Sequence, residues 1–337
     1  MPSYGIYTLA NDVVYDQLVA LLNSIEANVS RDIPVCVIPF NESIELVSRE
    51  IATRPNVTLF DNWAAIQRWE NFADTVWAAH PDAQNKKPGT APWGKGHHRR
   101  LAAFDGPFDR FVFYDGDSLA MKPLDGVFAK LDEFDFVFDD WEHGKAEPVA
   151  ALNIRLIEQT GLYRAADIRP KLHCSSFFGS KKGIFAAAEL EGLQKLLVEG
   201  GEVAWVRRWW DDAFLFCYLT LRSDRPLFNF TLSPNGNDRT GNCADSDPFV
   251  RIDNVLYNED GLKPIHRLHY MNYPAIDFAR LARGENVNIR YQDIFLHYRF
   301  MKQPDEKPQQ LKSPSFLVKT SRKVQKLVKK VQKNILS

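Results

Sequence analysis

The chain has 337 residues, with 42 Lys/Arg against 43 Asp/Glu, 45% hydrophobic and 25% charged side chains, which suits a globular protein of one large domain or two modest ones. Cys36, Cys174, Cys217 and Cys243 are the only cysteines and form no CxxC pair, no run approaches the ~18 apolar residues of a membrane span, and the start MPSYGIYTLAND lacks a basic region before a long apolar stretch. These features argue against a disulfide framework and a spanning helix and lead us to expect a cytoplasmic location; an acidic body outside the last 31 residues makes nucleic acid an unsuitable partner.

The first third alternates strand and helix signals. Residues 4–9 read as a strand, and Val14, Leu18, Leu21 and Ile25 then fall on one helix face. Residues 33–38 form a near-continuous apolar run, as in a strand covered on both faces. A helical stretch through Ile44, Val47 and Ile51 precedes a short strand at 57–60, a helix at 63–80 and a Pro/Gly/Lys-rich loop at 81–96. A helix over 97–104 leads to a strand at 111–114. This order predicts an α/β fold with a mostly parallel sheet and right-handed crossovers, whose ligands bind beyond the carboxyl ends of the strands.

Asp115-Gly116-Asp117 stands at such an end. Residues i and i+2 of an extended chain project to one side, and two carboxylates held together repel unless a cation lies between them. A divalent ion such as Mg²⁺ or Mn²⁺, bridging to a diphosphate, is the natural partner. The alternative is an ordinary Asp-Gly turn. Further on, strands are expected at 134–138 and 175–179 and a helix at 210–221, with irregular connections up to residue 298. Neither GxGxxG nor GxxxxGK[ST] occurs, so a dinucleotide site or P-loop has no support.

TLANDVVYDQLVALLNSI and WGKGHHRRLAAFDGPFDRFVFYDGDSLAMKPLDGVF resemble the opening and central blocks of glycosyltransferase family 8, the glycogenin-like enzymes. The resemblance covers roughly residues 4–300. It implies a GT-A-type, Rossmann-like sheet flanked by helices, a nucleotide-sugar donor (a UDP-sugar), a divalent metal and retention of anomeric configuration. It further implies that Leu9 and Asn11 touch the nucleotide, that Tyr15 packs on its base, and that Asp115, Gly116 and Asp117 hold the metal-diphosphate. Lys95, Arg99 and Arg100 stand where cations would offset the diphosphate, or they belong to a solvated basic helix start; Arg99, one α-helical turn after Lys95 on the same face, is favoured. HCSSFFGSKKGIF resembles the block beside the donor sugar and points to Ser176; Asp139 contacts sugar hydroxyls or caps a strand. Asp211-Asp212 resembles the family's acceptor-side Asp-Gln pair, with helix capping as the alternative. His269, in His269-Tyr270-Met271-Asn272, is placed as third metal ligand, with His266 at a spacing of three as its competitor.

Residues 302–315 are polar and Pro-containing, a linker between a catalytic domain at 1–301 and a tail helix at 316–337. Residues 307–337 carry nine Lys/Arg and no acid. On a helical wheel Val324, Leu327, Val328, Val331 and Ile335 share an arc of about 100° opposite the cations. The pattern suits an interfacial helix on an anionic membrane, or a helix docked on the body. The expected function is metal-dependent sugar transfer from a nucleotide diphosphate to an unknown acceptor (a glycan, lipid or protein). A haloacid-dehalogenase-like phosphatase, or a non-catalytic membrane-tethered sugar-nucleotide binder, is the alternative.

Overall fold

The computed structural model describes residues 3–84, 95–146, 149, 151–207 and 213–313. The expected tail helix and the Asp211-Asp212 pair lie outside them, as do most of the Pro/Gly/Lys-rich loop and the first residues of the helix expected at 210–221.

The main sheet is built from β1 (Tyr4–Ala10), β2 (Val35–Pro39), β3 (Val57–Leu59) and β4 (Arg110–Tyr114). The chain then forms β5 (Ser118–Ala120), β6 (Phe136–Phe138), β7 (Phe177–Lys181) and β8 (Leu227–Asn229). Seven of these strands lie in the order β3-β2-β1-β4-β7-β6-β8, with β5 outside. β1, β2, β3 and β4 pair in parallel, as do β6 and β8, while β7 runs antiparallel between β4 and β6. The expectation of a mostly parallel α/β sheet flanked by helices is met.

Burial on both faces explains the near-continuous apolar strands. In β4, Phe111 and Phe113 point into one core, where Phe113 stacks on Phe178 at 5.3 Å, and Val112 and Tyr114 point into the other. Helix α1 (Tyr15–Asn28) is buried all round from Gln17 to Ile25, because it is covered outside as well as inside. Its polar residues fasten that outer layer. Ser24 Oγ accepts from the Ala120 N–H at 2.9 Å, and Asn28 Nδ2 donates to Ala120 O at 2.8 Å, which fixes β5. Asn23 Nδ2 donates to Tyr298 O at 2.7 Å.

The outer layer was not anticipated. The stretch expected to be irregular holds a three-stranded meander of β9 (Phe249–Ile252), β10 (Val255–Asn258) and β11 (Lys263–Pro264). It also holds β12 (Arg267–His269), antiparallel to β5, and helices Ala275–Ala282 and Gln292–Arg299. Strands of two to four residues, several half-exposed, carry no readable alternation. The expected linker is anchored near its end. Lys312 N–H donates to Gly284 O at 2.8 Å, and Asn286 N–H donates to Lys312 O at 2.9 Å. No helix among the described residues is long and apolar enough to cross a membrane.

The segment expected as an α-helix over 97–104 is a 3₁₀ helix, Lys95–Asp105. A 3₁₀ helix has three residues per turn, so side chains three apart eclipse each other and the i, i+4 pairing of an α-helix is lost. That difference reassigns the basic residues of the site.

Candidate functional site

The site forms where β1 and β4 end side by side. Asp115 N–H donates to Ser176 O at 2.8 Å, which carries the β4–β7 ladder one step past the strand. Ser118 N–H then donates to Asp115 O at 3.0 Å, closing a turn over Asp115–Ser118. The two carboxylates therefore converge through a turn and not through strand alternation. Gly116 is required at its centre: a Cβ there would stand 2.8 Å from Leu9 O, so only glycine lets the turn lie against the end of β1.

The third member arrives from the far end of the chain. β12 pairs with β5 so that His269 lies opposite Ser118, the residue after Asp117. Backbone bonds lock this register: Tyr270 N–H donates to Asp117 O at 3.1 Å and His269 N–H to Asn242 O at 2.7 Å. As a result, His269 Nε2 lies 3.2 Å from Asp117 Oδ1, and ligand atoms of Asp115, Asp117 and His269 all fall within 4.8 Å of one another. Asp117 Oδ1 is buried, and among the described residues its polar neighbour is His269 Nε2 alone. A buried carboxylate oxygen that meets only an imidazole nitrogen, at 3.2 Å, and converges with a second carboxylate fits a bound divalent cation. Burial, the largest influence on the Asp117 carboxyl, raises its pKa. His269, its own amide and Arg100 together outweigh that and hold it below the usual range.

His266, the competitor, serves a different carboxylate. Its Nδ1 lies 2.9 Å from Asp139 Oδ2, and both side chains are fully buried. Burial keeps the His266 imidazole below its ordinary pKa, against the pull of Asp139. Asp139 follows β6 directly; its carbonyl accepts from Arg267 Nη1 at 3.2 Å and Asn242 Nδ2 at 3.3 Å. Ser176 Oγ accepts from Arg267 Nη2 at 3.0 Å. Asp139 and Ser176 thus belong to a buried polar network beside the carboxylate turn.

A cavity of about 630 Å³ opens over the turn. Leu9, Asn11, Asp115, Gly116 and Asp117 line it together with His97, Phe40 and Tyr273. Asn11 is held there as the cap of a 3₁₀ turn, its Oδ1 accepting from Val13 N–H at 3.1 Å. Tyr15 is not among the lining residues. Its hydroxyl donates to Glu50 Oε2 at 3.0 Å and its ring lies under the Arg299 guanidinium, so the expected stacking on a base is replaced by a place in the fold.

Arg99 is likewise committed elsewhere. Its Nε donates to Glu70 Oε1 at 2.7 Å, its Nη2 to Glu42 Oε1 at 2.9 Å and its Nη1 to Pro39 O at 3.2 Å. The guanidinium beside the site is that of Arg100, which the α-helical period ranks below Arg99. Arg100 is buried, its Nη2 3.5 Å from Asp115 Oδ1, with Nη1 donating to Ser175 O and Ser175 Oγ, each at 3.0 Å. Lys95 opens the 3₁₀ segment, and its side chain lies outside the described residues.

No protein-family profile and no curated protein matches this chain. Among solved structures it is similar to the apo form of the WbbM bifunctional glycosyltransferase, at 12% identity and a TM-score of 0.49, over 91% of this chain and 52% of that one. The chain thus spans about half the length of that protein. It is also similar to mouse xyloside xylosyltransferase 1 in its apo form, at 10% identity and a TM-score of 0.45, over 67% of this chain and 84% of that one. A third likeness is to the galactosyltransferase LgtC in complex with donor and acceptor sugar analogues, at 12% identity and a TM-score of 0.43, over 82% of this chain and 94% of that one. All three are glycosyltransferases, the class that the sequence resemblance implied, and none singles out family 8. At these scores the likeness is one of general fold, and the chemistry has to be read from the residues.

Proposed function

We propose that the protein is a metal-dependent glycosyltransferase that moves a sugar from a nucleotide-diphosphate donor, a UDP-sugar, to an acceptor with retention of configuration. The observation that carries this reading is the meeting of Asp115, Asp117 and His269 beside a cavity large enough for a nucleotide, at the carboxyl ends of parallel strands. Two carboxylates and one imidazole suit Mn²⁺ better than Mg²⁺. When bound, the ion would supply Lewis-acid charge to the leaving diphosphate.

The chain's own residues orient the donor. The Leu9–Asn11 end of β1 and Phe40 wall the cavity, and Gly116 allows the turn to sit close beneath them. Arg100 pins Asp115 through a guanidinium anchored on Ser175, so the carboxylate is held in place before a donor arrives. Asp139 and Ser176, buried in the network beside the turn and not among the residues lining the cavity, support the donor-sugar side from behind, and Asp211 and Asp212 are assigned to the acceptor side. A screen of nucleotide sugars for metal-dependent hydrolysis or transfer tests the reading. Turnover of one UDP-sugar that ceases in chelator is expected. Metal-dependent hydrolysis of aryl phosphates, with no nucleotide sugar consumed, would replace the proposal with a phosphatase.

The basic tail is proposed to bring the catalytic body to an anionic membrane surface. The body outside residues 307–337 holds 33 basic against 43 acidic side chains, so it offers such a surface little attraction. Each Lys/Arg near anionic lipid contributes on the order of 1 kcal/mol, weakened by salt. Deleting residues 314–337 is expected to abolish co-sedimentation with anionic vesicles at low salt while sparing transfer to a soluble acceptor. Full-length protein that ignores such vesicles would rule the proposal out.

A further inference from the structure

The 3₁₀ geometry of Lys95–Asp105 puts His97 and Arg100 on one face, three residues apart. His97 lines the cavity alongside Asp115, Gly116 and Asp117. Its ring meets Phe40, another lining residue, edge to face at 5.0 Å, which fixes its plane. Arg100 Nη2 lies 3.3 Å from His97 Nδ1, and Arg100 Nε donates to His97 O at 3.2 Å. A guanidinium can only donate, so Nδ1 is the accepting nitrogen and the ring proton is on Nε2. Arg100 is itself anchored by Ser175 and lies over the Phe113 ring at 5.1 Å. Burial and the Arg100 charge, against the pull of Asp115 and Asp117, bring the imidazole down to about 4, so it is neutral at pH 7.

We infer that His97 is a donor-binding residue whose Nε2–H hydrogen-bonds the anionic diphosphate of the nucleotide held over the Asp115–Asp117 turn. A neutral imidazole with a fixed tautomer suits this position. It offers a proton to the phosphate oxygens without competing with the cation-binding carboxylates as a second charge would. Arg100 then has two tasks that one buried guanidinium performs together: it anchors Asp115 and sets the His97 tautomer. His97 lies two residues before Arg99, and no α-helical spacing links it to the carboxylates, so the sequence alone does not indicate it.

The inference rests on the proposed nucleotide-diphosphate reading, and the test separates the two. Calorimetry would measure the affinity of wild type, His97→Ala, His97→Gln and His97→Asn for UDP with Mn²⁺, beside the affinity of each for Mn²⁺ alone. A hydrogen bond to a charged group predicts a loss of about 10- to 100-fold for His97→Ala. Gln places its amide nitrogen near the position of Nε2, and Asn near that of Nδ1. Glutamine should therefore restore most of the affinity and asparagine should not, with Mn²⁺ affinity and melting temperature unchanged throughout. A purely structural role would lower the melting temperature and would not sort Gln from Asn. Equal UDP affinity in His97→Ala and wild type, or rescue by Asn as good as by Gln, overturns the inference. If wild type binds no nucleoside diphosphate in the presence of Mn²⁺, the proposed function fails first.

Discussion

Asp117→Asn is expected to lower sugar transfer by more than about 100-fold while leaving the fold intact. Loss of a group that merely orients a metal ligand costs 10- to 100-fold in metal affinity or activity, and loss of a ligand itself should exceed that. Asparagine keeps the shape of the side chain and removes a charge from a site where a second carboxylate and His269 already converge. Without metal, the variant should therefore melt within a few degrees of wild type. With Mn²⁺ only the wild type should gain in melting temperature, because only a state that binds the ion is stabilised by it. The measurement is turnover and thermal melting of both proteins with and without Mn²⁺. A variant with near-wild-type turnover would make the Asp115–Ser118 segment a structural turn and nothing more.

Arg99 and Arg100 should part company when each is changed. Arg99→Met leaves Glu70, largely buried, without its partner, at a cost of about 1–3 kcal/mol in stability. The folded fraction should bind donor as wild type does. Arg100→Lys removes the planar fork that reaches Ser175 and the Asp115 carboxylate together, and a single ammonium cannot span both. Transfer by the folded fraction should fall at least about tenfold, with the loss in turnover more than in stability. Denaturant unfolding and kinetics on the two variants check this. A larger loss of donor affinity in Arg99→Met than in Arg100→Lys would return Arg99 to the donor site.

The sheet was legible because its strands are buried on both faces, which leaves continuous apolar runs such as those of β2 and β4. The carboxylate pair was legible because Asp-Gly-Asp directly follows such a run. His269 was named from the resemblance alone. Its true partner is a three-residue strand at β5, and contacts across 150 residues made by strands that short leave no periodic trace. The same holds for Asp139 with His266, which meet only because β12 brings the two together beside the end of β6. Arg99 was favoured over Arg100 by counting four residues per turn through a segment that turns every three. A run such as Lys95-Gly96-His97-His98 gives little indication of which helix will form. Tyr15 shows the opposite failing, a role carried over by position where the local partners Glu50 and Arg299 claim the side chain.

The central claim is that Asp115, Asp117 and His269 hold a cation without which the diphosphate is not bound. Calorimetric titration of the full-length protein with UDP, in Mn²⁺ and in excess chelator, tests it most directly. The carboxylates repel the phosphates unless a cation bridges them, so binding in Mn²⁺ should be at least about tenfold tighter than in chelator. Equal affinity under the two conditions would contradict the metal bridge and the account built on it.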